Sequence, residues 1–114
     1  MNVFGKKLKM CGLKPVTGYK RNGYCNLDES DEGTHIVCAV VTKDFLNFTL
    51  KKGNDLITPR NGFPGLKVGD RWCLCVFRWI EAYNNCYAPL IDLECTHSNV
   101  LKYVSLDILL QYSI

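Results

Sequence analysis

Seven cysteines in a chain of 114 residues constrain this sequence more than any other feature. Proteins keep a cysteine where it packs in the core, binds a metal or reacts. No compact pair of Cys-X-X-Cys knuckles occurs, so the spacing alone does not select one of these roles. The cysteines are spread over nearly the whole chain, at Cys11, Cys25, Cys38, Cys73, Cys75, Cys86 and Cys95.

The overall composition is that of one globular domain over residues 1–114. Hydrophobic residues make up 47% and charged residues 22% of the chain, which argues against disorder. No apolar run approaches the roughly 20 residues that a membrane-spanning helix needs, so no membrane partner is expected. A net charge of +3 is too small to indicate nucleic-acid binding by itself, and the oligomeric state is left open.

The compartment is predicted to be the cytoplasm, because the first residues lack the pattern of a secretory signal. Thiols stay reduced there, so disulfides are not expected. The odd number of cysteines also argues against a fully paired disulfide framework.

Local patterns predict an α+β domain with a small mixed sheet and about three helices. The pair Asn22-Gly23 is typical of a tight hairpin turn, and Thr42 and Ser105 are typical helix N-caps. These signals predict a hairpin over residues 17–27, strands over 36–41, 89–95 and 100–104, and helices over 43–52 and from 106 onward.

Residues 70–85 allow two interpretations. As a helix capped by Asp70, the segment carries one apolar stripe along its whole length, and this interpretation is favoured. The stripe consists of Trp72, Val76, Trp79 and Tyr83. As a strand at its start, the segment instead places Cys73 and Cys75 on one face, where they could share a metal.

The irregular segment 54–69 is long for a small domain, and such loops are often functional. Its polar side chains could bind a ligand or could satisfy the backbone of the loop, and the sequence favours neither. These side chains are Asn54, Asp55, Thr58 and Arg60.

The candidate reactive groups are thiols with histidines and carboxylates near predicted element ends. In the favoured helix, Cys73 lies in the first turn, where the helix dipole stabilises a thiolate. A buried thiol beside Trp72 and a turn-capping role for His97 are the alternatives. The candidate catalytic set is Cys38, Cys73, Cys75, His35, His97, Asp55 and Asp70.

A zinc ion is the one candidate cofactor. It would need four ligands from distant segments, for example Cys11, Cys25, Cys38 and one of Cys73 and Cys75. Nothing local in the sequence brings such a set together.

Several ordered motifs resemble one known family across nearly the full length. The chain is similar to the small bacterial and plant proteins catalogued as domain of unknown function 2237. The resemblance rests above all on Asn22-Gly23-Tyr24-Cys25-Asn26, His35-Ile36-Val37-Cys38-Ala39, Phe63-Pro64-Gly65-Leu66 and Gly69-Asp70-Arg71-Trp72-Cys73-Leu74-Cys75.

The resemblance implies which cysteines belong to the pattern, but it brings no activity. Cys86 and Cys95 stand where glycine and alanine are more usual, so they look incidental. The cysteines at family positions are Cys11, Cys25, Cys38, Cys73 and Cys75.

Three functions remain open, and the sequence does not decide whether the chain is an enzyme. The first is a thiol-using enzyme or a sensor of a small molecule. The second is a non-catalytic interaction module whose cysteines pack in the core, and the third is a zinc-stabilised domain.

Overall fold

A three-stranded antiparallel sheet forms the centre of the fold in the computed structural model, which describes residues 1–114. Strand β1, His35–Val40, lies in the middle. Strand β2, Arg71–Cys75, pairs with one edge of β1, and the short strand β3, Leu90–Ile91, pairs with the other. The strand order is therefore β2-β1-β3.

Three α-helices accompany this sheet, which confirms the predicted α+β class. Helix α1 is Lys43–Lys51, helix α2 is Val76–Asn84 and helix α3 is Leu106–Gln111. Thr42 caps α1 as predicted, because its hydroxyl accepts a hydrogen bond from the backbone N–H of Phe45 at 3.1 Å. Ser105 caps α3 in the same way. No helix is long and apolar enough to cross a bilayer.

The two faces of the sheet bury different side chains. In the register of β1 and β2, Ala39 lies opposite Trp72 and Cys38 lies opposite Cys73. The first pair belongs to the main apolar core, together with the fully buried Trp79 of α2. Cys38 and Cys73 face the N-terminal third of the chain, so the buried cysteines lie on this face of the sheet.

The favoured helix over residues 70–85 is wrong for its first part. Residues 71–75 are strand β2, and helix α2 begins at Val76. Pairing with β1 buries Trp72 and Leu74 on one face and Cys73 on the other, and this burial of both faces outweighs the helical stripe. Asp70 consequently caps no helix; its carboxylate accepts from the backbone N–H of Lys67 in a turn.

Three further predictions of strands are corrected by the structure. Residues 17–27 form turns without paired strands, and the positive φ angles there fall on Gly18, Arg21 and Gly23 but not on Asn22, as a type I′ Asn-Gly turn would need. Strand β3 ends after two residues, and the 3-10 helix Leu93–Cys95 follows because the Asp92 carboxylate caps it. The 3-10 helix Ser98–Lys102 occupies most of the last predicted strand.

Candidate functional site

Five buried cysteines meet on the face of the sheet opposite the main core. We call Cys11, Cys25, Cys38, Cys73 and Cys95 the cysteine cluster; none is more than 4% exposed. β1 and β2 place Cys38 and Cys73 side by side. The other three come from the N-terminal segment and from the 3-10 helix after β3, so folding brings together residues more than 80 positions apart.

Four members of the cysteine cluster form two disulfides. Cys11 is bonded to Cys38 and Cys25 to Cys73, with Cα–Cα distances of 5.8 and 5.3 Å. The expectation of reduced thiols is thus corrected for these four residues. Each strand cysteine is bonded to the N-terminal segment and not to its neighbour across the strands, so the disulfides fasten that segment over the sheet.

The two disulfides are adjacent. The Sγ atoms of Cys11, Cys25 and Cys38 all lie within 4.8 Å of one another, and all three residues are buried. Cys73 joins the same group through its bond to Cys25. After reduction, Cys11, Cys25 and Cys38 could hold a metal ion as thiolates. Of the two proposed fourth ligands Cys73 is the better placed, because it is bonded to Cys25, whereas Cys75 lies outside the cysteine cluster.

Arg71 is the one cation in contact with these sulfur atoms, and its importance was missed in the sequence. Its Nη2 lies 3.6 Å from the Sγ of Cys38 and 3.5 Å from the Sγ of Cys95. The same nitrogen donates to the Asp92 carboxylate at 2.6 Å, while Nε donates to the carbonyl of Cys11. The available signal was the strand alternation that puts Arg71 on the face of Cys73.

The pKa values around Arg71 show which group carries charge. Burial by itself would raise the pKa of Asp92, yet hydrogen bonds from Arg71 and Cys95 hold that pKa below its usual value. Burial, followed by the charge of Asp92, raises the pKa of the Cys95 thiol to about 11. Cys95 is therefore a neutral thiol near pH 7, beside an ionised Arg71–Asp92 pair.

Two buried threonines hold the backbone of the strand cysteines. The hydroxyl of Thr17 accepts from the N–H of Cys73 at 2.8 Å, and the hydroxyl of Thr96 accepts from the N–H of Cys38 at 3.0 Å. Both threonines are fully buried. They replace the sheet partners that these N–H groups lack, and so they fix the positions of Cys38 and Cys73.

A cavity of about 450 Å³ borders the cysteine cluster and reaches solvent; we call it the basic cavity. It is the largest of three cavities, and loop 54–69 forms one of its walls, as the ligand-binding interpretation of that loop expects. The lining residues are Gly18, Tyr19, Arg21, His35, Leu56, Arg60, Asn61, Phe63, Trp72 and Cys73.

Not every polar residue of the loop faces this cavity. The Asp55 carboxylate accepts from the backbone N–H groups of Ile57 and Thr58. Hydrogen bonds from Thr58 and Ile57 lower the pKa of Asp55, with a smaller contribution from Arg60. Asn54 donates to the Thr49 hydroxyl. Asp55 thus satisfies the backbone of the loop and Asn54 bonds helix α1, whereas Arg60 contributes to the cavity wall.

The two histidines have separate surroundings. His35 lines the basic cavity, and its Nδ1 lies 2.7 Å from the buried carboxylate of Asp31. His97 borders none of the three cavities; its Nδ1 accepts from the N–H of Asn99 and caps a 3-10 helix. Burial, and then the charge of the N-terminus, lowers the pKa of His97. The structure thus brings His35, but not His97, to the same cavity as Cys73.

The remaining free cysteines lie apart from the cysteine cluster. Cys75 is half-buried and lines a second cavity of about 340 Å³, which it shares with His35. Cys86 is exposed at the end of α2. Cys95, by contrast, looked incidental in the sequence but contacts Arg71 inside the cluster.

Comparison with known proteins confirms the resemblance drawn from the motifs. The sequence model of a family described as "Uncharacterized protein conserved in bacteria (DUF2237)" matches residues 1–113. A comparison with the curated proteins found no match. A functional proposal therefore has to rest on the geometry of the cysteine cluster.

Proposed function

The chain belongs to the bacterial family DUF2237, and on the geometry of its sulfur atoms we propose that it is a thiol-based redox sensor. In this proposal four residues of the cysteine cluster change between two disulfides and four thiols. The single observation that carries the proposal is the adjacency of the disulfides, with three Sγ atoms within 4.8 Å of one another.

The oxidant in the sensing step is a hydroperoxide. A cysteine thiolate attacks the peroxide oxygen, the O–O bond breaks, and water or an alcohol leaves as the sulfur becomes a sulfenic acid. The paired thiol then attacks that sulfur, displaces water and forms the disulfide. Reduction by two thiols returns two electrons and two protons, so each cycle is balanced.

What disulfide formation indicates depends on the compartment in which the protein is found. In the predicted cytoplasm, thiols are held reduced, so a protein with four neighbouring cysteines forms disulfides there only when an oxidant arrives. Closing the disulfides adds cross-links over 27 and 48 residues of chain, each worth about 3 to 4 kcal/mol by the loop-entropy model. Oxidation would accordingly tighten the N-terminal segment against the sheet, which is a structural change that a partner could recognise.

Arg71 gives the reduced state its electrostatic support. A positive charge beside a thiol favours the thiolate, which is the reactive form. The Nη2 group of Arg71 is already 3.6 Å from Cys38 Sγ, and Asp92 fixes its position. The Asp92 carboxylate offsets part of this positive charge, because it binds the same nitrogen of Arg71.

The purified protein offers the first test. Reduced protein is titrated with hydrogen peroxide, the remaining thiols are alkylated, and the alkylated peptides are identified by mass spectrometry. We expect loss of four alkylation sites in two pairs, Cys11 with Cys38 and Cys25 with Cys73, and their return with dithiothreitol. Cys86→Ser is the matched control, because Cys86 is exposed and should leave both pairs intact. Mixed pairings, or peroxide consumption without disulfides, would contradict the proposal.

A second candidate function is zinc binding by the reduced cluster, and the sulfur group found above is the observation that favours it. In a tetrahedral site with Zn–S distances of about 2.3 Å, sulfur atoms lie about 3.8 Å apart. Cys11, Cys25 and Cys38 need only small shifts to reach this spacing. Cys73 lies outside that group of three, so its Sγ has to move closer after its bond to Cys25 is reduced. Four thiolates around Zn²⁺ leave two negative charges, and Arg71 lies where it would offset one of them.

Metal binding is tested on reduced protein without oxygen. Cobalt(II) is added as a spectroscopic probe, since tetrahedral thiolate coordination gives intense absorption bands. We expect one cobalt ion per chain, its displacement by zinc, and loss of the signal in Cys73→Ser but not in Cys75→Ser. No binding to the reduced protein, or equal binding to the oxidised protein, would end the zinc candidate while leaving the redox proposal standing.

A further inference from the structure

Resting on the proposed redox function, the geometry points to a substrate class for the same centre. We infer that the basic cavity binds a small thiol that carries carboxylates and presents its sulfur to the Cys25–Cys73 disulfide. The cavity volume of about 450 Å³ is within the range of pockets for small molecules. Cys73 is the one cysteine among its lining residues, so Cys25–Cys73 and not Cys11–Cys38 is the disulfide at the cavity wall. Because Cys73 is only 2% exposed, attack on its sulfur requires a local movement of this wall.

Two guanidinium groups give the cavity its preference for anions. Arg21 stacks over the indole of Trp72, and Arg60 stacks over the ring of Phe63, each 5.0 Å from the ring centroid. Stacking and backbone carbonyls hold the planar groups in place: Arg21 donates to the carbonyl of Gly18, and Arg60 donates to the carbonyls of Asp55 and Thr58. Each guanidinium carries five N–H groups, so further N–H groups remain to bind a carboxylate. The cavity therefore presents two fixed cations above an apolar floor.

Nearby acids give Arg60 a partner but leave Arg21 without one. Arg21 has no carboxylate within ion-pair distance; its Nη1 donates to the carbonyl of Gly18. Arg60 has Asp55 at 3.8 Å, a long contact on the exposed side of the loop. The carboxylate of Asp31 is held by the imidazole of His35 at the cavity edge. A ligand with two carboxylates would match two guanidinium groups.

The exchange reaction is balanced with two ligand molecules. The first ligand thiolate attacks Cys73 Sγ, the Cys25–Cys73 bond breaks, and Cys25 leaves as a thiolate. A second ligand thiolate attacks the ligand sulfur of the mixed disulfide and releases Cys73. The protein disulfide is thereby reduced, and two ligand thiols are oxidised to one ligand disulfide.

Reduction kinetics test the inference on the folded, oxidised protein. Mercaptosuccinate supplies a thiol with two carboxylates, and thioglycerol is a neutral thiol of similar size. Each rate is divided by the rate of the same thiol on a small exposed disulfide, and alkylation identifies cleavage at Cys25 and Cys73. We expect a normalised advantage of roughly tenfold for mercaptosuccinate at low salt, which shrinks as salt screens the charges.

Matched variants connect that advantage to the cavity. Arg21→Gln and Arg60→Gln should each remove most of it and leave the thioglycerol rate unchanged, whereas Lys102→Gln, an exposed charge elsewhere, should keep it. Succinate, which lacks a thiol, should slow mercaptosuccinate in the wild type and not in the double arginine variant. These results would support the inference, and the two single variants remain informative if the double variant fails to fold.

The outcomes separate the two proposals. Equal normalised rates for the two thiols, with clean cleavage and re-formation of Cys25–Cys73, would overturn the anionic-thiol inference and leave the redox function intact. Resistance of both disulfides to every thiol until the protein unfolds would overturn the redox function, and the inference with it.

Discussion

At the scale of single residues, Cys95 and Cys86 show how burial and backbone conformation assign different roles to free cysteines. Cys95 contacts Arg71 within the cysteine cluster, whereas Cys86 is exposed. Neither residue type nor spacing distinguished them in the sequence. Each role leads to a prediction that a simple measurement can check.

Cys95 should resist alkylation until strongly alkaline pH. Its pKa of about 11 reflects burial first and the charge of Asp92 second, so it stays a neutral thiol at pH 8. We expect iodoacetamide to modify Cys86 near neutral pH and Cys95 at a rate that rises toward pH 11. In Asp92→Asn, the pH dependence should shift downward.

The same shift has a consequence for stability. Between about pH 9 and pH 11 the unfolded chain loses the Cys95 proton while the folded chain keeps it, so stability falls as pH rises through this window. Rapid modification of Cys95 at pH 8 in the folded protein would contradict this assignment.

Cys86 should be replaceable by glycine with a gain in stability. It has a φ of +66° and follows helix α2 at the position where glycine usually ends a helix. Its N–H bonds the carbonyl of Tyr83, and the N–H of Tyr87 bonds that of Ala82, as in a Schellman motif. A glycine at this position, which the family resemblance implies, would adopt this conformation without strain.

We expect Cys86→Gly to raise the free energy of unfolding by up to about 1 kcal/mol, because the left-handed conformation costs a side chain about that much. Cys86→Ala is the control, since alanine keeps the strain and removes only the thiol. Urea denaturation of both variants under reducing conditions makes the comparison. Equal stability of the two would show that backbone conformation is not the cause.

At the scale of elements, helices with clear caps could be predicted from the sequence, while strand β2 could not. Thr42 and the periodic apolar residues determine α1 locally. Residues 71–75 carry a helical stripe that continues into α2, and only their pairing with β1 makes them a strand. That pairing joins segments more than 30 residues apart, so no local pattern in the sequence can predict it.

Thr17 illustrates the same dependence on distant partners. It was one residue of a predicted hairpin, yet its hydroxyl holds the N–H of Cys73 in strand β2. We expect Thr17→Val to lower the free energy of unfolding by about 1 to 3 kcal/mol, because a buried N–H loses its acceptor. Thr17→Ser should restore most of the loss. Thermal or urea denaturation of the two variants measures this difference. Equal destabilisation by valine and serine would contradict the role of the Thr17 hydroxyl as an acceptor.

At the scale of the whole molecule, the cysteine cluster is assembled by the fold and not by a motif. Of the five cysteines that the family resemblance implied, the structure places four in the two disulfides. The pairing, the contact of Arg71 and the basic cavity all depend on how the N-terminal segment lies across the sheet. The spacing and periodicity of residues in the sequence cannot predict such long-range contacts.

The proposed sensor depends on one change of state, from four thiols to two adjacent disulfides, inside a living cell. Bacterial cells expressing the chain are quenched with acid before and after a hydrogen peroxide pulse, free thiols are alkylated, and the protein is digested for mass spectrometry. We predict free Cys11, Cys25, Cys38 and Cys73 before the pulse, and the Cys11–Cys38 and Cys25–Cys73 disulfides within minutes after it. Disulfides already complete before the pulse, or four thiols untouched by it, would contradict a sensor.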